Sequence, residues 1–169
     1  MLRFISFFAG IGGFDRALEA MGMYCVAQVE IDPYATCVLE THWPDVPRYR
    51  DIRRVGRHNL PPCEVLAGGF PCQPHSLAGS RLAGADERDL WGEFARLIRE
   101  IRPRYVLAEN VPGLRSSAGG RFFTTVLRDL AQAGYDAEWQ SLSASAVGAY
   151  HKRERLWIVA YPNRKHGWS

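Results

Sequence analysis

The chain opens with FISFFAGIGGF (residues 4–14), an apolar run that ends in three closely spaced glycines. The apolar part predicts a β-strand over residues 4–8, and the pattern that follows predicts a helix over residues 13–21. Glycine is needed where a backbone turns tightly or where a ligand must touch the main chain with no Cβ in the way. The stretch therefore predicts a strand, a glycine-rich turn suited to a ligand, and a helix.

Strands and helices continue to alternate along the chain. Asp32 and Pro33 form a good N-cap and first-turn pair, and apolar residues around Phe94 and Val126 recur at helical spacing. The further strands predicted from the sequence are residues 24–29, 65–68, 105–108, 139–142 and 156–161. This order predicts an α/β fold with a mostly parallel sheet, helices on both faces and an antiparallel pair of C-terminal strands.

The composition is that of one ordinary globular domain. The chain has 169 residues, 47% of them hydrophobic and 23% charged, which is enough for one core. We expect residues 1–161 to form this domain and residues 162–169 to be a polar tail. No apolar run is long enough to span a membrane and no leader is visible, so a soluble, cytoplasmic protein is expected. The four cysteines lack metal-ligand spacing, so we expect reduced thiols and no metal, while the net charge of +3 permits a polyanionic partner.

A third apolar strand runs directly into FPCQPHS (residues 70–76). Pro71 and Pro74 fix φ on either side of Cys72, so covalent geometry sets the direction of the sulfur. A free cysteine is more often buried and inert, but the flanking prolines favour a displayed nucleophile. The loop from residue 70 to residue 88 is long for a compact domain, which is typical of an element that closes over a site.

An acidic residue accompanies the glycine-rich turn. Glu30 follows the second strand, where a carboxylate in nucleotide-binding folds reaches ribose hydroxyls, so an adenosine-bearing cofactor is expected. The dinucleotide fingerprint would need glycine where this chain has Asp15. A carboxylate at the helix start would repel a pyrophosphate and tolerate a zwitterionic amino acid. This favours S-adenosyl-L-methionine over NAD, with an NAD-linked oxidoreductase as a distant alternative.

Four segments resemble, in chain order, the motifs of DNA cytosine carbon-5 methyltransferases. The family's Phe-x-Gly-x-Gly is matched at residues 8–12, its Pro-Cys-Gln at residues 71–73 and its Glu-Asn-Val at residues 109–111. Residues 151–155 resemble its Gln-x-Arg-x-Arg, with His151 where the family usually has Gln. The resemblance implies a Rossmann-like, S-adenosylmethionine-dependent enzyme that methylates DNA cytosine, of the restriction-modification type found in bacteria or phages.

The resemblance also implies which residues bind the cofactor and the base. The implied cofactor residues are Phe8, Gly10, Gly12 and Gly13 at the methionine end, Glu30 at the ribose, Ile31 and Asp51 at the adenine, and Leu90 in the pocket wall. Asp51 has an alternative as a turn residue. The implied residues on the substrate side are Pro71, Gln73, Ser76 and Asn110.

The chemistry needs a nucleophile and an acid. Carbon 5 of cytosine is a poor nucleophile until a thiolate, here that of Cys72, adds to carbon 6 and creates an enamine. A carboxylic acid beside ring nitrogen 3 relieves the growing charge, and Glu109 is the candidate because desolvation at the end of an apolar strand would raise its pKa. The resemblance implies that Arg155 orients the base through its carbonyl and that Arg153 braces the loop or a phosphate.

Several alternatives stay open from the sequence. Members of the family continue with a target-recognition domain, and nothing in this chain reads as one. The chain is expected to be a compact methyltransferase of relaxed sequence preference, or the catalytic half of a split enzyme with a separate recognition subunit, or a non-catalytic relative that binds cofactor or DNA. A close analogue of S-adenosylmethionine is also a possible donor. Intact Cys72, Glu109 and Arg155 argue against the non-catalytic alternative.

Overall fold

The computed structural model describes residues 1–71 and 87–163, with the backbone alone for residues 87–89 and 118. Within these residues, seven strands form one sheet in the order β3-β2-β1-β4-β5-β7-β6. The strands are β1 (Arg3–Phe7), β2 (Tyr24–Val29), β3 (Arg48–Tyr49), β4 (Val65–Gly69), β5 (Tyr105–Asn110), β6 (Tyr135–Ser143) and β7 (Glu154–Pro162). β1 to β5 pair in parallel, and β7 is antiparallel to both β5 and β6.

Four α-helices lie in the described part of the chain: α1 (Gly13–Ala20), α2 (Pro33–His42), α3 (Glu87–Ile101) and α4 (Arg121–Gln132). Asp32 caps α2 as predicted, because its side chain accepts a 2.8 Å hydrogen bond from the backbone N–H of Ala35. None of the helices in residues 1–71 and 87–163 has the length and apolar character needed to cross a bilayer.

The two faces of the sheet carry separate apolar clusters. Successive side chains of β1 point to opposite faces. Ile5 belongs to the larger cluster, which also contains Phe94 of α3 and Val126 of α4. Phe4 belongs to the smaller cluster, where Leu18 of α1 packs. The predicted α/β class, the parallel sheet, the helices on both faces and the antiparallel C-terminal strands are therefore confirmed.

Several elements differ from the sequence expectation, and three of them have a local physical reason. β1 ends at Phe7 because Phe8 has a positive φ of 53°, which breaks the extended conformation. β6 begins at Tyr135, four residues before the predicted start at residue 139. The two-residue strand β3 was not predicted, since it is too short to show a periodic pattern.

The order of the strands determines where a ligand would bind. β1 pairs with β2 on one side and with β4 on the other, so the direction of the chain across the sheet reverses at β1. In open parallel sheets the crevice for ligands lies outside the carboxyl ends of the strands at such a switch point. The glycine-rich turn, Glu30 and the chain leading to Cys72 all follow the carboxyl ends of these strands.

Candidate active site

The glycine-rich turn joins β1 to α1 with a backbone that requires glycine. Gly10 and Gly12 have φ values of 54° and 90°, which side chains disfavour. Gly12 also lacks room for a side chain, because a Cβ there would overlap the Trp43 ring. At Gly10 and Gly13, in contrast, a Cβ would meet nothing within 4 Å. One side of the turn is therefore closed by packing and the other exposes the main chain.

Glu30 connects this turn to the end of β2. Its Oε2 accepts a 2.7 Å hydrogen bond from the N–H of Gly10, and its Oε1 accepts a 2.8 Å bond from the N–H of Asp32. Each carboxylate oxygen has a second lone pair, so these bonds leave capacity for a ligand hydroxyl. Glu30 is therefore both a brace for the turn and a group that can still accept from a ligand.

Asp15 corrects one step of the sequence argument. Its side chain is fully buried and faces the sheet, where it accepts 2.9 Å bonds from Ser6 Oγ and Gln28 Nε2. Cys25 Sγ donates to it at 3.3 Å, and burial raises the pKa of that thiol. The expectation that Asp15 would repel a pyrophosphate at the helix start is wrong, since its carboxylate does not face the open side of the turn.

The predicted adenine residues lie on separate segments next to the turn. Ile31 follows Glu30 and is 60% exposed. Asp51 caps a short 3₁₀ turn by accepting 3.0 Å bonds from the N–H and Nε of Arg53, and these bonds lower its pKa. The alternative that Asp51 is a turn residue is thus confirmed, and its contact with adenine stays a prediction.

Helix α3 contacts the 3₁₀ turn that Asp51 caps. Arg96 Nη2 donates to the carbonyl oxygens of Ile52 at 3.1 Å and of Val55 at 3.0 Å. Leu90, near the start of the same helix, is half-buried against the larger apolar cluster. The contacts of Arg96 were not predicted, because an arginine in a helix gives no sequence signal for a carbonyl partner more than 40 residues away.

Glu109 is the next-to-last residue of β5, and its carboxylate lies beside Arg155 of β7. Arg155 Nε lies 2.6 Å from Glu109 Oε1, and about one fifth of each side chain is exposed. Burial raises the pKa of Glu109, and the charges of Arg155 and Arg153 act against this increase. The net direction is the one expected from the sequence. Arg153 itself is exposed, just before β7 begins.

Asn110 fixes the chain that leads to the predicted nucleophile. Its Nδ2 donates a 2.8 Å hydrogen bond to the carbonyl oxygen of Phe70, and its Oδ1 accepts a 2.8 Å bond from the N–H of Val111. The Phe70 ring is buried against Trp91, with ring centroids 4.9 Å apart. Phe70 and Pro71 are therefore anchored to β5 and α3, although the substrate role predicted for Asn110 and Pro71 stays a prediction.

The structure brings together the predicted residues that it describes in two groups at the carboxyl edge of the sheet. The first group follows β1 and β2 and contains the glycine-rich turn and Glu30. The second lies at the carboxyl ends of β4 and β5 and at the start of β7, and it contains Pro71, Glu109, Asn110 and Arg155. Cys72, Gln73, Ser76 and the predicted closing loop up to residue 86 lie outside the described residues. Among the described residues, no cluster of His, Cys, Asp or Glu is arranged to hold a metal ion.

Comparison with known proteins identifies the family. The family model for C-5 cytosine-specific DNA methylase matches residues 2–167. The Type II methyltransferase M.HhaI of Haemophilus parahaemolyticus is 36% identical over 163 residues, which cover 96% of this chain and 50% of that protein. M.DsaV of Dactylococcopsis salina is 34% identical over 98% of this chain and 47% of its own length.

Solved structures show the same fold. A prophage-encoded DNA modification methyltransferase of E. coli superimposes with a TM-score of 0.82 at 24% identity, over 96% of this chain and 47% of that chain. The Dnmt2 methyltransferase of S. pombe gives 0.77 at 24% identity, over 100% of this chain and 53% of that chain. The chain thus spans about half the length of the relatives that it matches. It belongs to the C-5 cytosine-specific DNA methylase family.

Proposed function

We propose that this chain transfers a methyl group from S-adenosyl-L-methionine to carbon 5 of cytosine in DNA, through a covalent bond between Cys72 and carbon 6. The observation that carries the proposal is the pairing of Glu109 with Arg155 beside the strand that leads to Cys72. Membership of the DNA methylase family supports it.

The nucleophile follows a fixed point of the backbone. Asn110 holds the carbonyl of Phe70, two residues before Cys72, and Pro71 restricts the backbone between them. The Cys72 thiolate would add its electron pair to carbon 6, which makes carbon 5 an enamine carbon able to attack the methyl group. Loss of the carbon 5 proton and departure of the thiolate would then restore the aromatic ring.

Glu109 and Arg155 would act on ring nitrogen 3 and on the carbonyl of the base, while Cys72 attacks carbon 6. Burial favours the protonated form of Glu109, and a neutral carboxyl group can donate its proton to ring nitrogen 3 as carbon 6 is attacked. Arg155 keeps Glu109 in place and has N–H groups left to orient the carbonyl of the base. Arg153, which is exposed, would brace the loop or a phosphate.

The glycine-rich turn fits the cofactor. The open space at Gly10 and Gly13 would let the methionine end approach the main chain, and Phe8 and Gly12 set the shape of the turn. Glu30 would bind the ribose, with Ile31, Asp51 and Leu90 around the adenine. The bound cofactor supplies an activated methyl group, and these residues bind and orient it.

The target base must leave the stack to reach this pocket, because carbon 5 and carbon 6 are covered in a duplex. Pro71, Gln73, Ser76 and Asn110 would lie on the side of the flipped base. We assign the catalytic domain to residues 1–161 and a tail to residues 162–169, and we place the protein with its DNA substrate in the cytoplasm. As a second candidate, a separate subunit would supply target recognition.

Isotope transfer tests the proposal. The purified chain is incubated with methyl-labelled S-adenosylmethionine and with single- or double-stranded DNA, alone and with the product of a neighbouring gene. We expect label on carbon 5 of cytosine after digestion to nucleosides, and no label with Cys72→Ala. Cys37→Ala is the matched control, because Cys37 is an exposed cysteine on α2.

The arms of this assay separate the alternatives. Label with the chain alone indicates an enzyme that works by itself, and label only after addition of the second polypeptide indicates a split enzyme. Cofactor binding without label in either arm would contradict the proposed activity. Label that persists in Cys72→Ala would contradict the assigned nucleophile.

A further inference from the structure

Gly69 lies beside Glu109 in the sheet. It is the last residue of β4, and its register partner on β5 is Glu109. Register partners on parallel strands direct their side chains to the same face, so a side chain at Gly69 would point towards that of Glu109. A Cβ on Gly69 would lie 2.9 Å from Glu109 Oε2, closer than real Cβ contacts come.

The backbone does not explain the glycine. Gly69 has no positive φ, and it takes part in a regular parallel ladder. Strands in general disfavour glycine, because it packs no side chain and loses more entropy on folding. The next atom that a Cβ would meet belongs to Phe14 at 4.0 Å, an ordinary contact distance. Among residues 1–71 and 87–163, the Glu109 carboxylate is therefore the only group that closely approaches the space at Gly69.

The two carboxylate oxygens of Glu109 have different surroundings. Oε1 is held by Arg155 Nε at 2.6 Å, while Oε2 is the atom nearest to the space where a Cβ on Gly69 would lie. On the opposite side, the register partner of Glu109 on β7 is Trp157, whose ring packs edge-on against Phe14. With Trp157 on one side and Arg155 on Oε1, Oε2 is directed towards β4, the strand that leads to Cys72.

We propose that Gly69 is a positioning residue for methyl transfer. Because Gly69 has no side chain, Oε2 of Glu109 has room to point over the end of β4, where the base would lie. The inference rests on the proposed function. The contact that a new Cβ would make is with the far end of a flexible side chain, so Glu109 can yield by rotating. Gly69→Ala should therefore displace the Glu109 carboxylate while the protein still folds.

The test compares Gly69→Ala with Gly113→Ala, in which the added Cβ meets nothing within 4 Å. We expect Gly69→Ala to unfold within a few degrees of the parent and to bind S-adenosylmethionine within about two-fold. Its single-turnover rate of methyl transfer should fall at least about ten-fold, since misplacement of a reacting group by about 1 Å costs this much or more. Gly113→Ala should keep the parent rate.

A double-mutant cycle assigns the loss to Glu109. Glu109→Asp shortens the side chain by one carbon, so its carboxylate retreats from the added Cβ. Gly69→Ala should therefore lower the rate of the Glu109→Asp protein by less than about three-fold. An equal loss in both backgrounds, or an unchanged rate in Gly69→Ala, would overturn the positioning role.

A readout that needs no activity separates this inference from the proposed function. In cofactor-free protein with ¹³C-labelled glutamate, Gly69→Ala should change the carboxyl chemical shift and titration midpoint of Glu109, and Gly113→Ala should leave both unchanged. A Glu109 signal that is unaffected by Gly69→Ala overturns the inference. Absence of methyl transfer in the parent protein contradicts the proposed function, while this titration still decides whether Gly69 positions Glu109.

Discussion

Asn110 Nδ2 donates a 2.8 Å hydrogen bond to the carbonyl oxygen of Phe70, which joins β5 to the backbone two residues before Cys72. The amide is 3% exposed, and its Oδ1 is occupied by the N–H of Val111. Two neighbouring strands thus meet through one side chain at the point where both contribute to the site. The residue that follows the predicted acid positions the segment that carries the predicted nucleophile.

Replacement of Asn110 by aspartate should damage both stability and catalysis. The carboxylate keeps an acceptor for Val111 but faces the Phe70 carbonyl without a proton to donate. We expect a loss of about 1–3 kcal/mol in the free energy of unfolding, the cost of an unsatisfied buried group. Methyl transfer should fall at least about ten-fold while cofactor affinity stays within a few-fold, as measured by denaturant unfolding, single-turnover kinetics and calorimetry.

Asn59 provides the matched control for that variant. It has the same pattern of bonds, with Oδ1 accepting from the N–H of Gly56 and Nδ2 donating to the carbonyl of Arg54, but it is exposed and lies outside the motifs. Asn59→Asp should leave methyl transfer unchanged. Equal rates for Asn110→Asp and Asn59→Asp would show that the Phe70 contact does not position the nucleophile.

The charge on Arg155 should control the titration of Glu109. Burial raises the pKa of Glu109, and the positive charges of Arg155 and Arg153 lower it. Removal of a positive charge therefore raises the pKa further, so Glu109 stays protonated to a higher pH. In ¹³C NMR titrations of cofactor-free protein, Arg155→Gln should shift the Glu109 midpoint upward, and Arg153→Gln should do so by less.

Arg121→Gln, which changes an exposed arginine on α4, is the control for that titration. It should leave the Glu109 midpoint where it is in the parent protein. A midpoint that falls in Arg155→Gln would contradict the ion pair as the main interaction of Glu109 with a charged residue.

Loss of the Glu30 carboxylate should mainly weaken cofactor binding. The variant would lose the carboxylate that binds the ribose, and the same carboxylate accepts hydrogen bonds from the N–H groups of Gly10 and Asp32. Because hydrogen bonds to a charged group contribute about 1.5–3 kcal/mol each, we expect at least about a ten-fold loss of affinity in Glu30→Ala. Calorimetry with S-adenosylmethionine measures this, and Glu40→Ala, an exposed glutamate on α2, should bind as the parent does. Normal binding in Glu30→Ala would remove Glu30 from the cofactor site.

The ion pair between Arg3 and Glu64 should make an acid-sensitive contribution to the free energy of unfolding. Glu64 receives the N–H and guanidinium of Arg3, which lower its pKa from 4.5 to about 2. The contribution is therefore complete above pH 4.5 and is lost as the pH falls through about 2. The pair is partly exposed, so we expect Glu64→Gln to cost only about 1 kcal/mol at pH 7 and close to nothing near pH 2. A difference in unfolding free energy that is constant with pH would contradict this.

Local sequence signals predicted much of the fold, because they report chemistry within a few residues. The Asp32-Pro33 start of α2 is such a case, since an N-cap depends only on its own turn. Long-range pairs were not predictable in this way. Asp15 was interpreted as a group facing a ligand because its partners, Ser6 and Gln28, lie on two other elements. Similarly, Glu138 and other exposed residues hide the first half of the edge strand β6 from a hydrophobic pattern.

In the candidate site too, local signals were predictable from the sequence and long-range contacts were not. The motif residues were found by their order along the chain, and the raised pKa of Glu109 follows from a strand-end position. The space at Gly69 and the bond from Asn110 to Phe70 depend on the register of β4 and β5, which no single segment encodes. The contact of Trp43 with the turn at Gly12 was not predictable either, because Trp43 lies 31 residues after Gly12.

The most direct test of the central claim is a covalent trap. DNA that contains 5-fluorocytosine is incubated with the protein and S-adenosylmethionine, and the adduct is digested and mapped by mass spectrometry; fluorine cannot leave carbon 5 as a proton does, so the thioether persists. The account predicts one adduct, on Cys72, which requires the cofactor and is absent in Cys72→Ala. An adduct on Cys37 or Cys63, or no adduct in a preparation that methylates cytosine, would contradict it.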